Sequence, residues 1–387
     1  MTIKNEHNKI NVPNLRFPEF QGEWEEHRLS ELLDFKNGLN PKPDKFGKGI
    51  KFISVMDILN NAVITYDCIK SSVDVTEKEL SDFSVEKGDI LFQRSSETLE
   101  DVGRANVYMD DKTAVFGGFV IRGKKKGEYD PQYFNYLLRS PFARKRIIPM
   151  GAGAQHFNIG QEGLSKVKLH FANIEEQKKI GKMLSLLDER IATQNKIIED
   201  LKKLNAQIAE RLFNGMNGNV VALSEVCNIL KGKQINGDCL SETGAYYVMN
   251  GGIEPSGYYD QCNTLANTIS ISEGGNSCGY VQYNKEAFWS GGHCYTLTDI
   301  QSDVCNLYLY HYLKSKESSI MKLRIGTGLP NIQKKDLEKF NILLPSIDDQ
   351  NRVSTFLTTI ERKITNEELL HSRFKEQKQY LLRQMFI

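Results

Sequence analysis

The segment IEEQKKIGKMLSLLDERIATQNKIIEDLKKLNAQIAERLF, residues 174–213, decides the fold because a similar segment recurs later in the chain. Residues 347–386, IDDQNRVSTFLTTIERKITNEELLHSRFKEQKQYLLRQMF, align with it without a gap at an offset of 173. Asn158 then falls on Asn331 and Gln177 on Gln350. A repeat of this length indicates an architecture built from two related halves.

Each copy of the segment carries apolar residues at alternating spacings of four and three, which predicts a long helix with a heptad seam. The first seam consists of Ile180, Leu184, Leu187, Ile191, Ile198, Leu201, Ile208 and Leu212, with polar Gln194 and Asn205. The second consists of Val353, Leu357, Ile360, Ile364, Phe374, Leu381 and Met385, with polar Glu367, His371 and Lys378. Such polar residues usually fix register, so His371 is interpreted as a packed residue rather than a ligand or base.

The two helices most simply pair with each other. At 1.5 Å per residue, about 37 residues span roughly 55 Å. An antiparallel coiled coil of this length would form a rod with one globular domain at each end, and would act as a ruler between them.

The repeat continues upstream of the helices, where Leu29-Ser30-Glu31 matches Leu223-Ser224-Glu225 at an offset of 194. The predicted order is an N-terminal domain over 1–172, a helix over 173–215, a second domain over 216–346 and a helix over 347–387. The helices resemble each other more than the domains do. This favours a protein that recognises two different targets, although ordinary duplication followed by drift remains open.

Both domains are predicted to be mixed α/β, with short strands rich in β-branched and aromatic residues. The predicted strands are Ile50–Val55, Asp89–Phe92, Val115–Arg122, Thr268–Ser272, Gly279–Tyr283 and Tyr295–Thr298. Short helices are predicted over 131–140 and 304–315.

Composition narrows the class of protein without naming it. The net charge is +1, with 50 Lys and Arg against 49 Asp and Glu, so the whole chain does not indicate nucleic acid binding. We expect no signal peptide, because the first 14 residues lack an apolar run, and no membrane span. The seven cysteines lack metal-ligand spacing, which predicts reduced thiols, no metal site and a cytoplasmic location.

Loops rich in small polar residues and clusters of cations recur at matching positions of the two domains. Cations suit contacts with phosphates, and polar Gln, Asn, His and Arg side chains suit base edges. A run of cationic residues is more often simply a solvent-exposed surface. The recurrence of these clusters at matching positions of the repeat makes contact with DNA a better-supported interpretation. The candidate DNA-contacting residues are Arg94, Ser95, Ser96, Arg104, Lys124, Lys125, Arg144, Arg146, Gln155, His156, Asn158, Asn276, Ser277, His293, Lys322, Arg324 and Asn331.

Three groups of residues resemble a known family. The segment PNLRFPEF at 13–20, followed by GEWE at 22–25 and LSEL at 29–32, resembles the opening of type I restriction-modification specificity subunits, the HsdS family. The I-x-x-Q motifs at 174–177 and 347–350 resemble that family's two conserved regions. Residues 251–258, GGIEPSGY, with Thr268–Ser272 resemble one of its target recognition domain types.

The resemblance implies a non-catalytic subunit that recognises double-stranded DNA. Each domain would read half of a bipartite target, and an antiparallel coiled coil would set the gap. Two methylation subunits would bind S-adenosylmethionine and flip adenines for methylation, and restriction subunits would use ATP and Mg. The resemblance transfers no base-reading residue. Two alternatives remain: a coiled-coil scaffold with two protein-binding domains, or a self-contained DNA methyltransferase or nuclease, although no methyltransferase tetrapeptide or phosphate loop is present.

Overall fold

A computed structural model describes residues 11–326, 328 and 330–387 of the chain. The first ten residues, part of the segment for which no signal peptide is predicted, lie outside the described residues, as do Thr327 and Leu329 in the segment before Asn331. No helix in the described part is long and apolar enough to cross a membrane.

The chain divides into two compact units. Unit 1 comprises Met1–Gln194 and Leu370–Ile387, and unit 2 comprises Asn195–Leu369. Two long helices, α7 (Ile174–Asn214) and α12 (Ile347–Gln384), each contribute residues to both units. The domain boundaries proposed from the sequence stay predictions.

Unit 1 contains the first half of the repeat. Its other helices are α1 (Leu29–Leu32), α2 (Val55–Asn60), α3 (Glu77–Phe83), α4 (Pro131–Arg139), α5 (Pro141–Ile147) and α6 (Gln161–Lys166). Its strands are β1 (Glu25–Arg28), β2 (Leu33–Asn37), β3 (Phe46–Ile53), β4 (Ser72–Val73), β5 (Ser84–Val85), β6 (Ile90–Gln93), β7 (Ser95–Ser96), β8 (Ala105–Val107), β9 (Ala114–Phe116), β10 (Val120–Lys125), β11 (Phe157–Asn158) and β12 (Lys168–Phe171). They form sheets β2-β10-β6-β8, β4-β3-β9-β5, β1-β12 and β7-β11.

Unit 2 repeats this arrangement. Its helices are α8 (Leu223–Val226), α9 (Asn306–Ser315), α10 (Glu317–Met321) and α11 (Lys334–Glu338). Its strands are β13 (Asn219–Ala222), β14 (Asn228–Lys231), β15 (Tyr246–Met249), β16 (Tyr258–Tyr259), β17 (Thr268–Ser272), β18 (Val281–Asn284), β19 (Trp289–Ser290), β20 (Cys294–Thr298) and β21 (Asn341–Leu344). The sheet β14-β20-β17-β18 corresponds to β2-β10-β6-β8, and β13-β21 corresponds to β1-β12. The parallel pair β15-β19 corresponds to β3-β9.

Every position of the predicted heptad seams is buried or half-buried. In unit 1 the early part of α7 packs against the late part of α12, where Asp188 pairs with Lys378 at 2.5 Å. In unit 2 the late part of α7 packs against the early part of α12, and Phe213 and Leu357 share one hydrophobic core. The helix segments in each unit therefore pair antiparallel. His371 is half-buried in its seam, and burial together with Lys375 lowers its pKa.

The N-terminal segment is fastened to both helices of unit 1. Arg16 donates two hydrogen bonds to the fully buried Glu176 of α7, from Nε at 2.8 Å and from Nη2 at 2.7 Å. Leu15 N–H donates to the Gln384 carbonyl of α12 at 2.9 Å. Trp24 packs edge-on against Phe386. The N-terminal segment that resembles the family therefore has a structural role, because it connects α7 and α12 within unit 1.

Two predicted strands are wrong in extent. The expected strand Val115–Arg122 is two strands, β9 and β10, because the chain turns at Gly117-Gly118. The expected strand Ile50–Val55 ends at Ile53, since Ser54 and Asp57 form a capping box that begins α2. Strand Thr268–Ser272 is confirmed, and the other predicted strands and the two short helices differ by one or two residues at their ends.

Candidate functional site

Four segments of unit 1 meet beyond the end of β6. Arg94 N–H donates to the Phe119 carbonyl at 2.9 Å, and the Arg94 carbonyl accepts from Ile159 N–H at 2.9 Å. Ser95 lies opposite Asn158 in the β7-β11 pair, and Ser95 Oγ donates to Asn158 Oδ1 at 2.5 Å. Asn40, three residues after the end of β2, lies against the turn before Phe119. We define the first edge cluster as Asn40, Arg94, Ser95, Phe119 and Asn158.

Unit 2 contains the same backbone framework. Glu273 N–H donates to the His293 carbonyl at 2.9 Å, and the Glu273 carbonyl accepts from Ile332 N–H at 2.9 Å. Gly274 forms a bridge with Asn331, as Ser95 does with Asn158. Gln234, three residues after the end of β14, lies against the turn before His293. The second edge cluster is therefore Gln234, Glu273, Gly274, His293 and Asn331, in the order of the first.

A Gly-Gly turn holds each cluster together. A side chain at Gly118 would overlap the carboxamide of Asn40, and one at Gly292 would overlap the carboxamide of Gln234. The preceding glycines, Gly117 and Gly291, likewise have no room for a Cβ. Only glycine allows an amide side chain to approach the turn so closely. The following residue, Phe119 or His293, is then presented to solvent, with 68% of Phe119 and 61% of the His293 side chain exposed.

The two clusters differ most in charge. In the first, Arg94 places a cation beneath the turn, and its Nη1 donates to the Gly118 carbonyl at 3.3 Å. In the second, Glu273 places a carboxylate there, and its side chain is only 10% exposed. Lys231 Nζ at 2.5 Å and Tyr295 OH at 3.3 Å both donate to Glu273 Oε1. Burial and this carboxylate raise the pKa of Tyr295 to about 12.

The carboxylate of Glu273 also orients His293. Nδ1 of His293 lies 3.2 Å from Glu273 Oε2. Because a carboxylate only accepts, Nδ1 carries the proton of that hydrogen bond, and Nε2 is left for another partner. The second edge cluster therefore presents an imidazole of defined orientation.

A family model agrees with this duplicated framework. The model of the type I restriction modification DNA specificity domain matches residues 21–203 and again 217–372, which together make up most of the chain. The chain belongs to this family. It is a specificity subunit of the type I restriction-modification class.

Three relatives describe the range of similarity. A protein assigned as a type I specificity subunit of Mycoplasma pneumoniae is 34% identical over 173 residues, which are 44% of this chain and 46% of that protein. The protein assigned as the MjaX specificity subunit of Methanocaldococcus jannaschii is 23% identical over 407 residues, covering 95% of this chain and 92% of the relative. The crystal structure of the type I S subunit of Mycoplasma genitalium has a TM-score of 0.65 at 20% identity, covering 97% of this chain and 99% of that one. This last likeness shows the fold.

Many of the predicted DNA-contacting residues of this specificity subunit lie at the edge clusters. Arg94, Ser95, Asn158, His293 and Asn331 belong to them. The predicted neighbours lie close by in the chain: Ser96 on β7, the exposed Gln155 and His156 in the loop before β11, Asn276 and Ser277 just after Gly274, and Lys322 and Arg324 before Ile325, which pairs with Asn331. Their role in DNA contact stays a prediction.

Of the remaining predicted cations, Arg104 lies beside the first edge cluster, because its carbonyl accepts from Gln93 N–H at 2.7 Å, and the others lie elsewhere in unit 1. Lys124 and Lys125 are at the far end of β10, and Lys125 lies about 16 Å along the strand from Val120. Lys124 faces Glu86 at 3.7 Å, and Lys125 donates to the Tyr129 carbonyl at 3.0 Å. Arg104 pairs with Asp101 at 2.6 Å, and Arg146 donates to the Phe142 carbonyl at 3.5 Å.

Arg144 is committed to the interior of the domain. Its Nη2 donates to the carbonyls of Glu100 at 2.9 Å and Val102 at 2.6 Å. Burial lowers the pKa of the Arg144 guanidinium to about 10. These contacts favour a structural role for this side chain, which packs α5 against the loop before β8.

The list of residues predicted from the sequence missed five members of the clusters: Asn40, Phe119, Gln234, Glu273 and Gly274. The signal that could have found one of them, Phe119, is the Gly-Gly-aromatic sequence at 117–119, which recurs at 291–293 before the predicted His293. Among the described residues, no group of three or more His, Cys, Asp and Glu side chains could hold a metal ion. None of the seven cysteines, all within the described residues, forms a disulfide.

Proposed function

We propose that this specificity subunit reads a bipartite double-stranded DNA target, one half with each domain, and directs partner subunits to it. The observation that carries the proposal is the pair of edge clusters. One backbone framework, repeated hydrogen bond for hydrogen bond, presents Arg94, Ser95 and Phe119 in one domain and Glu273, Gly274 and His293 in the other. Base edges in the major groove differ in donors, acceptors and methyl groups, so such side-chain differences suit two different half-sites.

The partners follow from the class of protein. Two methylation subunits would bind this chain, because its internal repeat offers two related surfaces to two identical partners. They would carry S-adenosylmethionine and methylate adenine after flipping it out of the duplex. Restriction subunits would add cleavage that depends on ATP and Mg. One solved structure comes from work on complex assembly and conformational transition of the type I R-M system. It has a TM-score of 0.58 to this chain at 16% identity, which supports the fold on which this proposal depends.

This chain would contribute recognition and spacing, and the partners would contribute the chemistry. The edge clusters offer hydrogen-bonding and apolar side chains for bases, and exposed cations such as Lys322 and Arg324 suit phosphates. The paired helices would set the distance between the two half-sites.

The test is a map of adenine methylation. The chain is co-expressed with its cognate methylation subunit in a host that lacks adenine methylation, and methylated adenines are located across the genome by single-molecule sequencing. We expect one motif with two half-sites and a fixed gap, which disappears when this chain is omitted. Absence of a motif despite an isolated complex would favour a protein scaffold, and methylation by the purified chain alone would favour a self-contained enzyme.

A further inference from the structure

The exposed residue after each Gly-Gly turn is an apolar ring in the first edge cluster, Phe119, and a hydrogen-bonding ring in the second, His293. Phe119 precedes β10 and His293 precedes β20, and the carbonyls of both accept the equivalent N–H, from Arg94 and from Glu273. The backbone therefore places the two rings at the same site of the repeated fold. What differs is the group each ring offers.

Phe119 offers only apolar surface. It lies in a shallow cavity with other apolar side chains that are themselves exposed, Phe46 at 43% and Met56 at 60%. Exposed cations lie on the same segment of chain, Lys42 next to Pro41 of the cavity and Lys48 two residues after Phe46. Lys48 faces Asp74 at 3.7 Å, whereas Lys42 has no carboxylate partner among the ion pairs of the described residues. An apolar cavity with a cation on the same segment of chain is suited to a surface that combines apolar groups with negative charge, as the methyl-bearing groove of DNA does.

His293 offers a single polar atom. Its Nδ1 hydrogen bond to Glu273 at 3.2 Å leaves Nε2 of the neutral ring as an acceptor. Glu273 is itself held by Lys231 and Tyr295, so a turn of the His293 ring would break its hydrogen bond to a carboxylate of fixed position. In the major groove, an acceptor pairs with the exocyclic amino group of adenine or cytosine.

We propose that Phe119 and His293 are specificity-determining residues at equivalent positions of the two half-sites: Phe119 contacts the C5-methyl group of a thymine, and His293 accepts a hydrogen bond from a base amino group. Glu273 is a positioning residue, since it acts through His293. This inference rests on the proposed function, because it names the bases' chemical groups that each domain reads.

The first test uses the unaltered chain in complex with its cognate methylation subunits. Each thymine of the half-site read by unit 1 is replaced in turn by deoxyuridine, which lacks only the methyl group. Removing a methyl from an apolar contact should weaken binding about fourfold at one position. In the complex that carries Phe119→Ala, that replacement should have no further effect. A half-site in which no thymine methyl matters, or an unchanged response in the variant, would overturn the assignment of Phe119.

The second test exchanges the two rings. Phe119→His and His293→Phe are made separately, and each complex is mapped by adenine methylation. Each exchange should change one base preference in its own half-site and leave the other half-site intact, so each variant is the control for the other. Glu273→Gln should weaken discrimination at the same base pair as His293→Phe, whereas a merely structural role would weaken binding to all sequences equally.

The outcomes separate this inference from the proposed function. If the unaltered complex gives a bipartite motif and both exchanges leave that motif unchanged, the inference fails and the function stands. If the unaltered complex gives no motif, the proposed function fails.

Discussion

Gln177 on the first turn of α7 accepts a hydrogen bond from the backbone N–H of Asp130 at 2.9 Å, directly before α4. The same carboxamide donates to the Ala172 carbonyl at 2.8 Å. Gln350 makes the equivalent contacts in unit 2, accepting from Cys305 N–H at 2.8 Å and donating to the Pro345 carbonyl at 3.0 Å. The glutamine of the repeated I-x-x-Q motif thus fastens each long helix to the short helix of its own domain.

Replacing Gln177 with Ala should lower the free energy of unfolding by about 2 kcal/mol, because a half-buried N–H and a buried carbonyl lose their partners. Gln350→Ala should have a similar effect. Urea unfolding followed by circular dichroism measures both. Gln207→Ala, at an exposed position of α7, is the matched control and should change stability by less than about 0.5 kcal/mol. Equal effects of all three variants would refute this role for the motif.

The stability of unit 2 should fall in mild acid because of His311. This ring lies on α9 with Nε2 at 2.9 Å from Thr358 Oγ1 and Nδ1 at 3.5 Å from Glu361, and burial lowers its pKa to about 4. The unfolded ring has a pKa of about 6.5 and binds protons more readily. The stability that the neutral ring contributes is therefore complete above about pH 6.5 and is lost as the pH falls toward 4.

The measurement compares the unfolding free energies of the wild type and His311→Gln at pH 7 and pH 5. The wild type should lose about 2 kcal/mol more than the variant over this range. Burial raises the pKa of Glu361, which acts in the opposite direction, so the difference between the two proteins is the informative quantity. His156→Gln, at an exposed loop position, should retain the slope of the wild type. Parallel pH profiles for the wild type and His311→Gln would contradict the prediction.

The isolated chain should bind DNA weakly and in a salt-sensitive manner. Its net charge is +1, and several cations are already paired within unit 1, among them Lys124 and Arg104. Since affinity grows with the number of phosphates neutralised, we expect a Kd in the micromolar range or weaker at physiological salt. Fluorescence anisotropy at several salt concentrations measures this, and nanomolar sequence-specific binding by the chain alone would be inconsistent with it.

The gap between the half-sites should follow the length of the helices. Seven residues inserted into the seam of α7, between Ile191 and Ile198, with seven more at the matching place in α12, add about 10 Å of helix. This corresponds to about three base pairs, and methylation mapping should reveal a gap longer by that amount. The same insertion in α7 alone breaks the register of the pair and should lower the unfolding temperature. A constant gap after the double insertion would exclude the ruler.

The seams could be predicted from the sequence because heptad periodicity is a local pattern that repeats over many turns. Leu184 and Leu357 are buried as their spacing requires, and polar Lys378 lies in the seam with Asp188 as its partner. The prediction of a single strand over Val115–Arg122 was wrong because the apolar run continues on both sides of Gly117-Gly118. The turn is visible only in the structure, from the hydrogen bond of Val120 N–H to the Gly117 carbonyl and the close approach of Gly38 to Gly117.

The edge clusters could be predicted only in part. Asn158 and Asn331 stand out because they keep the repeat offset of 173, whereas Arg94 and Glu273 are separated by 179 residues and differ in charge. Their equivalence depends on hydrogen bonds to Ile159 and Ile332, which join residues distant in sequence. Phe119, an exposed apolar residue, carries no polar signal, and Glu273 is recognisable only from its partners in space.

The most direct test of the central claim, that each domain reads its own half of the target, is replacement of residues 40–150 by the corresponding segment of another specificity subunit, followed by methylation mapping of the complex. That segment holds Arg94 and Phe119 of the first edge cluster and leaves the second untouched. We predict that one half-site changes while the other half-site and the gap remain as in the unaltered chain. A change in both half-sites, or in neither, would contradict the account.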